Sequence, residues 1–384
     1  MILRRAAVVA AVLTLVAIDV PRGAAQEPSS PCMAPVASAP PAATPEQERY
    51  RERLHSLATG VGITVAVIDT GIAQHPELPR LNGGPDLVSP DSPDPFFDCD
   101  IHGTVVAGII GSRTVGIAPD VALLSIRQSS AHYSRHASDP DEPTGAGTLA
   151  TLTQALNAAL DAGAHVINLS VVSCLPSGTA ARLDTKPLDA ALRRAEDAGV
   201  IVVAAAGNAG SGCEPGDVVF PSHGPTVLSV AALAAPHEFA VYSMPGQVSA
   251  PGDVPVGLGP DGWINGDMSP AQIRGEAQPL MGTSFAAPVV TATAALLRQR
   301  LPDASAAEIR EHILGSAQPG TGFVDPLAAV SALPADYAGA PRTVTIEPET
   351  VRASLAPHRL ALLISGLSLG AFVLSLIAGA RRRA

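Results

Sequence analysis

Residues 63–72 read ITVAVIDTGI. The run is almost continuously apolar until it stops at the Asp69 carboxylate, and Thr70-Gly71 then turns the chain. A strand this uniformly apolar is expected where both faces of a sheet are covered, as in a parallel sheet. The same pattern recurs at 121–126, 165–170 and 200–205. Helical patterns fall between these runs at 102–111, 147–162 and 186–198, and others at 45–58, 284–301 and 304–316 flank the series. Strands alternating with helices predict an α/β fold: a doubly wound, mostly parallel sheet with helices on both faces. Functional groups in such sheets gather at the carboxyl ends of the strands, so the polar residues there are the ones to weigh.

The two ends of the 384-residue chain have their own signatures. Arg4 and Arg5 precede an apolar stretch from Ala6 to Ile18, and the small residues Gly23-Ala24-Ala25 follow, which is the pattern of a secretory signal peptide over 1–25. Leu360 to Ala380 carries no charge and is followed at once by Arg381-Arg382-Arg383. It has the length and flank of a membrane-spanning helix whose arginine tail, 381–384, stays cytoplasmic. Between them we expect an N-terminal extension over 26–58, a main domain over 59–332 and a linker over 333–359. The expected location is the cell membrane, with a single pass and an extracytoplasmic main domain. A net charge of −11 with no basic stripe argues against nucleic acid as a partner. Cys32, Cys99, Cys174 and Cys213 make an even count in an exported chain, which favours two disulfides. All three pairings remain open on spacing. Neither the cysteines nor any Asp-rich loop has metal-ligand spacing, so no metal and no cofactor is expected.

Four polar residues stand out at strand ends and helix starts. Asp69 ends the first strand. His102 opens a helix in DCDIHGTVVAG (98–108), just after the acidic pair Asp98 and Asp100. Asn208 follows a strand in AAAGN (204–208), where its amide can donate to a developing oxyanion. Ser284 opens a helix in MGTSFAAPVV (281–290), and serine there is either a helix cap or a nucleophile.

In the chain order Asp, His, Asn, Ser, these motifs together resemble the subtilisin-like serine proteases over residues 60–332. The resemblance implies a serine endopeptidase. Asp69 would orient the imidazole, His102 would act as general base and then acid, Ser284 would attack the scissile carbonyl, and Asn208 would stabilise the oxyanion. The place two residues beyond the HGT glycine, where many members have a second histidine, is Val105; it lies outside the triad. The residues Ser170, Val171, Val172 and Ser173 would form one wall of the S1 pocket, and Ala205, Ala206 and Gly207 the other. Branched Val171 and Val172 would narrow it and favour a small or medium P1 residue such as alanine. The loops 256–279, with Trp263, and 132–143 are candidates for shaping the cleft.

Finer features resemble one branch. Cys99 beside the histidine, SIRQSS at 125–130, Cys174 in VINLSVVSC, Cys213 soon after Asn208 and the C-terminal membrane helix look like the mycosins, the membrane-anchored subtilisin-like proteases of actinobacterial type VII secretion systems. That resemblance implies processing of secreted substrates and support of the secretion membrane complex, with protein or peptide substrates and the complex itself as partners. The alternative it carries is a chiefly non-catalytic structural component of that complex. It also implies pairing of Cys174 with Cys213, and of Cys32 with Cys99, so that the extension wraps the peptidase domain and stays attached.

Overall fold

A computed structural model describes residues 27–134, 145–268 and 277–332, with the isolated positions 367 and 370. The expected signal peptide at 1–25 and the expected membrane span at 360–380 lie outside the described residues. Among the described residues no helix is long and apolar enough to cross a membrane. Contacts divide the chain at Pro334 into two units. The first, 1–334, contains the central sheet and the helices around it; of the second, 335–384, Leu367 and Gly370 are described, both helical.

The central sheet has eight strands: β1 (Thr64–Asp69), β2 (Leu81–Asp86), β3 (Ala122–Arg127), β4 (Val166–Leu169), β5 (Ile201–Ala205), β6 (Val227–Ala235), β7 (Glu238–Phe239) and β8 (Val248–Pro251). Their order is β7-β6-β5-β4-β1-β3-β2, with β8 also paired to β6. Every pairing is parallel except that of β7 with β6. The four expected strands form, each within one residue of its expected start. β2 and β6 were not expected. The sequence of β2, LNGGPD, reads as a turn, and that of β6, VLSVAALAA, is alanine-rich enough to suit a helix.

Side chains alternate across a strand, and here both faces are apolar. Val65 and Val67 of β1 face one cluster together with Val105, Val106 and Ile110, while Ala66 and Ile68 face another with Leu152, Leu156 and Leu188. The longer helices around this sheet are α1 (Pro45–Leu57), α2 (His102–Gly111), α3 (Leu149–Asp161), α4 (Lys186–Asp197), α5 (Thr283–Arg300) and α6 (Ala306–Ser316). α2 and α5 cover the first face, and α3 and α4 the second. α5 is buried along almost its whole length, from Thr283 to Arg298, which its alanine and valine content permits.

The N-terminal segment is built into the fold. Residues Ala34–Ala37 pair antiparallel with Gly262–Met268. α1 begins with a capping box on Thr44 and Gln47, and Tyr50 donates to Asp325 at 2.5 Å. The two disulfides join Cys32 to Cys99 and Cys174 to Cys213.

Candidate active site

β1 delivers Asp69 at its carboxyl end, where it is fully buried. α2 begins at His102, and the imidazole Nδ1–H donates to Asp69 Oδ1 at 2.7 Å. The approach of helix to strand depends on Gly103. A Cβ there would lie 2.0 Å from the Gly71 carbonyl oxygen and 3.2 Å from Asp69 Oδ1, so no side chain fits.

α2 has no side-chain cap of its own, and its first-turn N–H groups need acceptors. Neighbours supply them: Gly103 N donates to Thr70 Oγ1 at 3.0 Å and Thr104 N to Asp98 Oδ2 at 2.8 Å. Asp98 also accepts from Thr104 Oγ1 at 2.6 Å and from Thr70 Oγ1 at 2.8 Å. Thr70 N in turn donates to Asp69 Oδ1 at 2.8 Å. One network thus ties the end of β1 to the start of α2.

Burial works against a charged His102, but the Asp69 carboxylate outweighs it through charge and hydrogen bonding. Asp98 and Asp100 add to the effect, and the imidazole pKa rises to about 9. Asp98 itself is pushed up to about 6, chiefly by burial, against the pull of its threonine hydrogen bonds.

The turn that leads into His102 is unusually constrained. Cys99 is bonded to Cys32. Asp100 accepts from Ser130 Oγ at 2.6 Å and Ala131 N at 2.8 Å. Ile101, the residue before His102, has φ +66°. A buried, β-branched residue in the left-handed region costs about 1–3 kcal/mol and persists only where its surroundings hold it.

Ser284 does not cap its helix. α5 starts at Thr283 with Gly282 at the N-cap position, and no side chain caps it. The Ser284 hydroxyl instead donates to the Ser170 carbonyl at 2.8 Å, and the Ser170 hydroxyl donates back to the Ser284 carbonyl at 2.7 Å. Asn208 is oriented by Thr283: its Oδ1 accepts from Thr283 N at 2.9 Å and from Thr283 Oγ1 at 3.0 Å. That leaves the amide Nδ2 as the donor facing away from Thr283.

His102, Ser284 and Asn208 line one cleft of about 640 Å³, together with Ser170, Val171, Val172 and Ser173. An imidazole fixed through Nδ1, a hydroxyl and an amide donor on a shared cleft are the groups that nucleophilic acyl transfer requires.

Ala205, Ala206 and Gly207 are a correction to the sequence reading: they are buried and do not line the cleft. The Cys174–Cys213 bridge lies against them. A Cβ on Gly207 would sit 3.0 Å from Cys213 Sγ and 3.3 Å from Cys174 Sγ. The opposing wall is Asn208 with Ser211, Gly212 and Cys213. Among the lining residues that the sequence reading did not single out are Met33 from the N-terminal segment and Leu280, while Asp267, from the strand 262–268, lies within the candidate loop 256–279. Burial raises the pKa of Asp267, and His102 pulls it back down. The two candidate cleft loops reach the cleft through His132 and through Asp267. Of these loops, 135–143 and 269–276 lie outside the described residues.

This geometry has close relatives. The subtilase family model matches residues 60–340. Mycosin-4 of Mycobacterium tuberculosis is 38% identical over 337 residues, covering 78% of this chain and 71% of that protein. The MycP3 protease from the type VII (ESX-3) secretion system matches with a TM-score of 0.69 at 33% identity, covering 79% of this chain and 93% of that one. A chain of the intact ESX-5 inner membrane complex matches with a TM-score of 0.69 at 30% identity, covering 91% and 94%. The chain belongs to the subtilase family of serine endopeptidases and, within it, to the mycosins.

Proposed function

We propose that this mycosin hydrolyses peptide bonds with Ser284 as nucleophile, His102 as general base and then acid, Asp69 as the group that orients His102, and Asn208 as oxyanion donor. The observation that carries the reading is the Asp69–His102 hydrogen bond at 2.7 Å, set in a cleft that Ser284 and Asn208 also line. In the reaction His102 Nε2 takes the Ser284 proton as Oγ attacks the carbonyl carbon, then gives it to the leaving amine. Asp69 holds the imidazolium that forms between these steps. The oxyanion receives the Asn208 amide. Its other donor is the Ser284 backbone N–H at the start of α5, where the helix dipole also favours negative charge. Val171 and Val172, half-buried in the cleft wall, support a small or medium P1 residue.

Asn208→Ala is expected to lower kcat by roughly 10²–10³ with little change in KM, a loss for which a subtilisin is the reference case. Steady-state kinetics on a chromogenic peptide check it. An equal loss carried by KM would reassign Asn208 to ground-state binding.

The substrates are proteins exported by a type VII secretion system, and the chain is held at the membrane by residues 360–380 with residues 381–384 in the cytoplasm. Residues 26–58 remain attached to the peptidase domain through Cys32–Cys99 and the strand pairing of Ala34–Ala37. A second role, supporting the secretion membrane complex, is favoured by the match to a chain of such a complex. Ser284→Ala and a full deletion, compared in the native cell, separate the two roles. Lost processing with intact secretion in Ser284→Ala, and lost secretion in the deletion, support both. Unchanged processing in Ser284→Ala overturns the proteolytic assignment.

A further inference from the structure

Three of the four residues before His102 are each tied to a different part of the molecule. Asp98 is held by Thr70 and Thr104, and Asp100 by Ser130 and Ala131. These ties are hydrogen bonds within the catalytic fold. The tie at Cys99 is covalent, and it comes from the N-terminal segment. That segment is itself anchored: Met33 N donates to the Cys99 carbonyl at 3.0 Å, Ser30 N donates to the His132 carbonyl at 3.3 Å, and Ala34–Ala37 extends a neighbouring strand. The fourth residue, Ile101, sits at φ +66° with 2% of its surface exposed, between the tethered Cys99 and His102. Among the described residues it is the one non-glycine residue with positive φ. A β-branched residue leaves this region when its flanks are free to turn. The backbone of Ile101 fixes the direction in which α2 starts, and so where the imidazole points.

We propose that the Cys32–Cys99 bond positions His102 for catalysis, by holding Ile101 in a backbone conformation that the untethered turn would abandon. The proposal rests on the reading of His102 as the general base. Cys32, Cys99 and Ile101 are then positioning residues. The N-terminal segment acts as a strap on the catalytic turn, besides any part it plays in stability.

The test is a cycle on the full chain: C32S/C99S, I101G, and the combination. Glycine adopts positive φ without steric cost, so the strap becomes dispensable in the I101G background. We expect C32S/C99S to lower kcat at least tenfold, with KM within threefold of the parent. In the I101G background the same pair of serines should lower kcat less than threefold. An unchanged kcat in C32S/C99S overturns the proposal, and so does an equal loss in both backgrounds, which is the mark of a bond that serves stability alone.

A second readout does not depend on cleavage. The His102 imidazole titration, followed by NMR, reports its hydrogen bond to Asp69 directly. The charged and titratable groups around it are Asp69, Asp98, Asp100 and Asp267, with His132 on the same cleft. Its midpoint should fall in C32S/C99S and hold in the combined variant; a midpoint insensitive to the strap overturns the proposal even if the chain cleaves no peptide tried. Absence of Ser284-dependent cleavage in the parent is a separate result, and it counts against the proteolytic roles. Should C32S/C99S fail to fold, the combined variant is expected to fold, and failure of both overturns the proposal.

Discussion

Ser284→Ala is expected to lower kcat on a peptide substrate by about 10⁶, with KM and folding stability almost unchanged. A subtilisin is the enzyme on which that magnitude rests. The expectation comes from what the hydroxyl does and does not do here. It does not cap α5, whose N-cap is Gly282. Its hydrogen bond runs to the Ser170 carbonyl at the edge of the cleft, where water can take its place, so its removal costs stability no more than about 1 kcal/mol. The Ser170 hydroxyl still reaches the Ser284 backbone carbonyl and so keeps the cleft wall in place. Without Oγ no acyl-enzyme forms, and what remains is the roughly 10³–10⁴-fold acceleration that oxyanion donors and binding give to attack by water. Kinetics on purified protein, with a thermal melt of the same sample, check both halves. A variant with parental kcat would mean that hydrolysis arises elsewhere. A variant with a collapsed melting temperature would mean that Ser284 serves the fold.

The residues proposed to do the chemistry were legible before the structure because each sits at a junction that physics marks in the sequence. Asp69 ends an apolar strand, His102 and Ser284 open helices, and Asn208 follows a strand in a glycine-flanked turn. Their supports were less legible. Thr283 orients Asn208, and Thr70 links Asp69 to Asp98. Both stand beside a candidate in sequence, but a threonine's partner is set by tertiary contacts rather than by spacing. Asp98 was visible as one of an acidic pair, yet nothing in its spacing separates it, buried on two threonines, from Asp100, which holds the strand at 130. Ile101 gave no signal, because a β-branched residue is the last that local preference would place at positive φ. The misassigned wall of the cleft has the same origin. Ala205 ends a strand as expected, but the Cys174–Cys213 bridge packs against Gly207, and Asn208 with Ser211–Cys213 lines the cleft. β2 was missed because glycine and proline argue against a strand, whereas an edge position tolerates both.

The rate should also rise steeply with pH. kcat/KM reports the free enzyme, and His102 acts as a base only when neutral. Its pKa is raised from 6.5 to about 9, so the imidazolium dominates at pH 7, and kcat/KM is expected to grow about tenfold per pH unit up to a plateau above pH 9. The direction of the shift can be tested by removing its cause. Burial alone would lower the pKa of this imidazole; the Asp69 carboxylate reverses that, with Asp98 and Asp100 contributing. Asp69→Asn keeps the shape, and its carboxamide cannot carry the charge. The midpoint should therefore move down by more than about one unit, while the plateau falls by about 10⁴ because the imidazole loses its tautomer and the imidazolium its counter-charge. The two changes have opposite signs on the rate at neutral pH, and a loss of folded protein produces only the second: it scales the whole profile down and leaves the midpoint in place. A profile of kcat/KM from pH 5 to 11 for both proteins distinguishes these cases. If Asp69→Asn lowers the plateau with no shift in midpoint, the carboxylate holds the imidazole by geometry alone, and its charge is not what tunes the base.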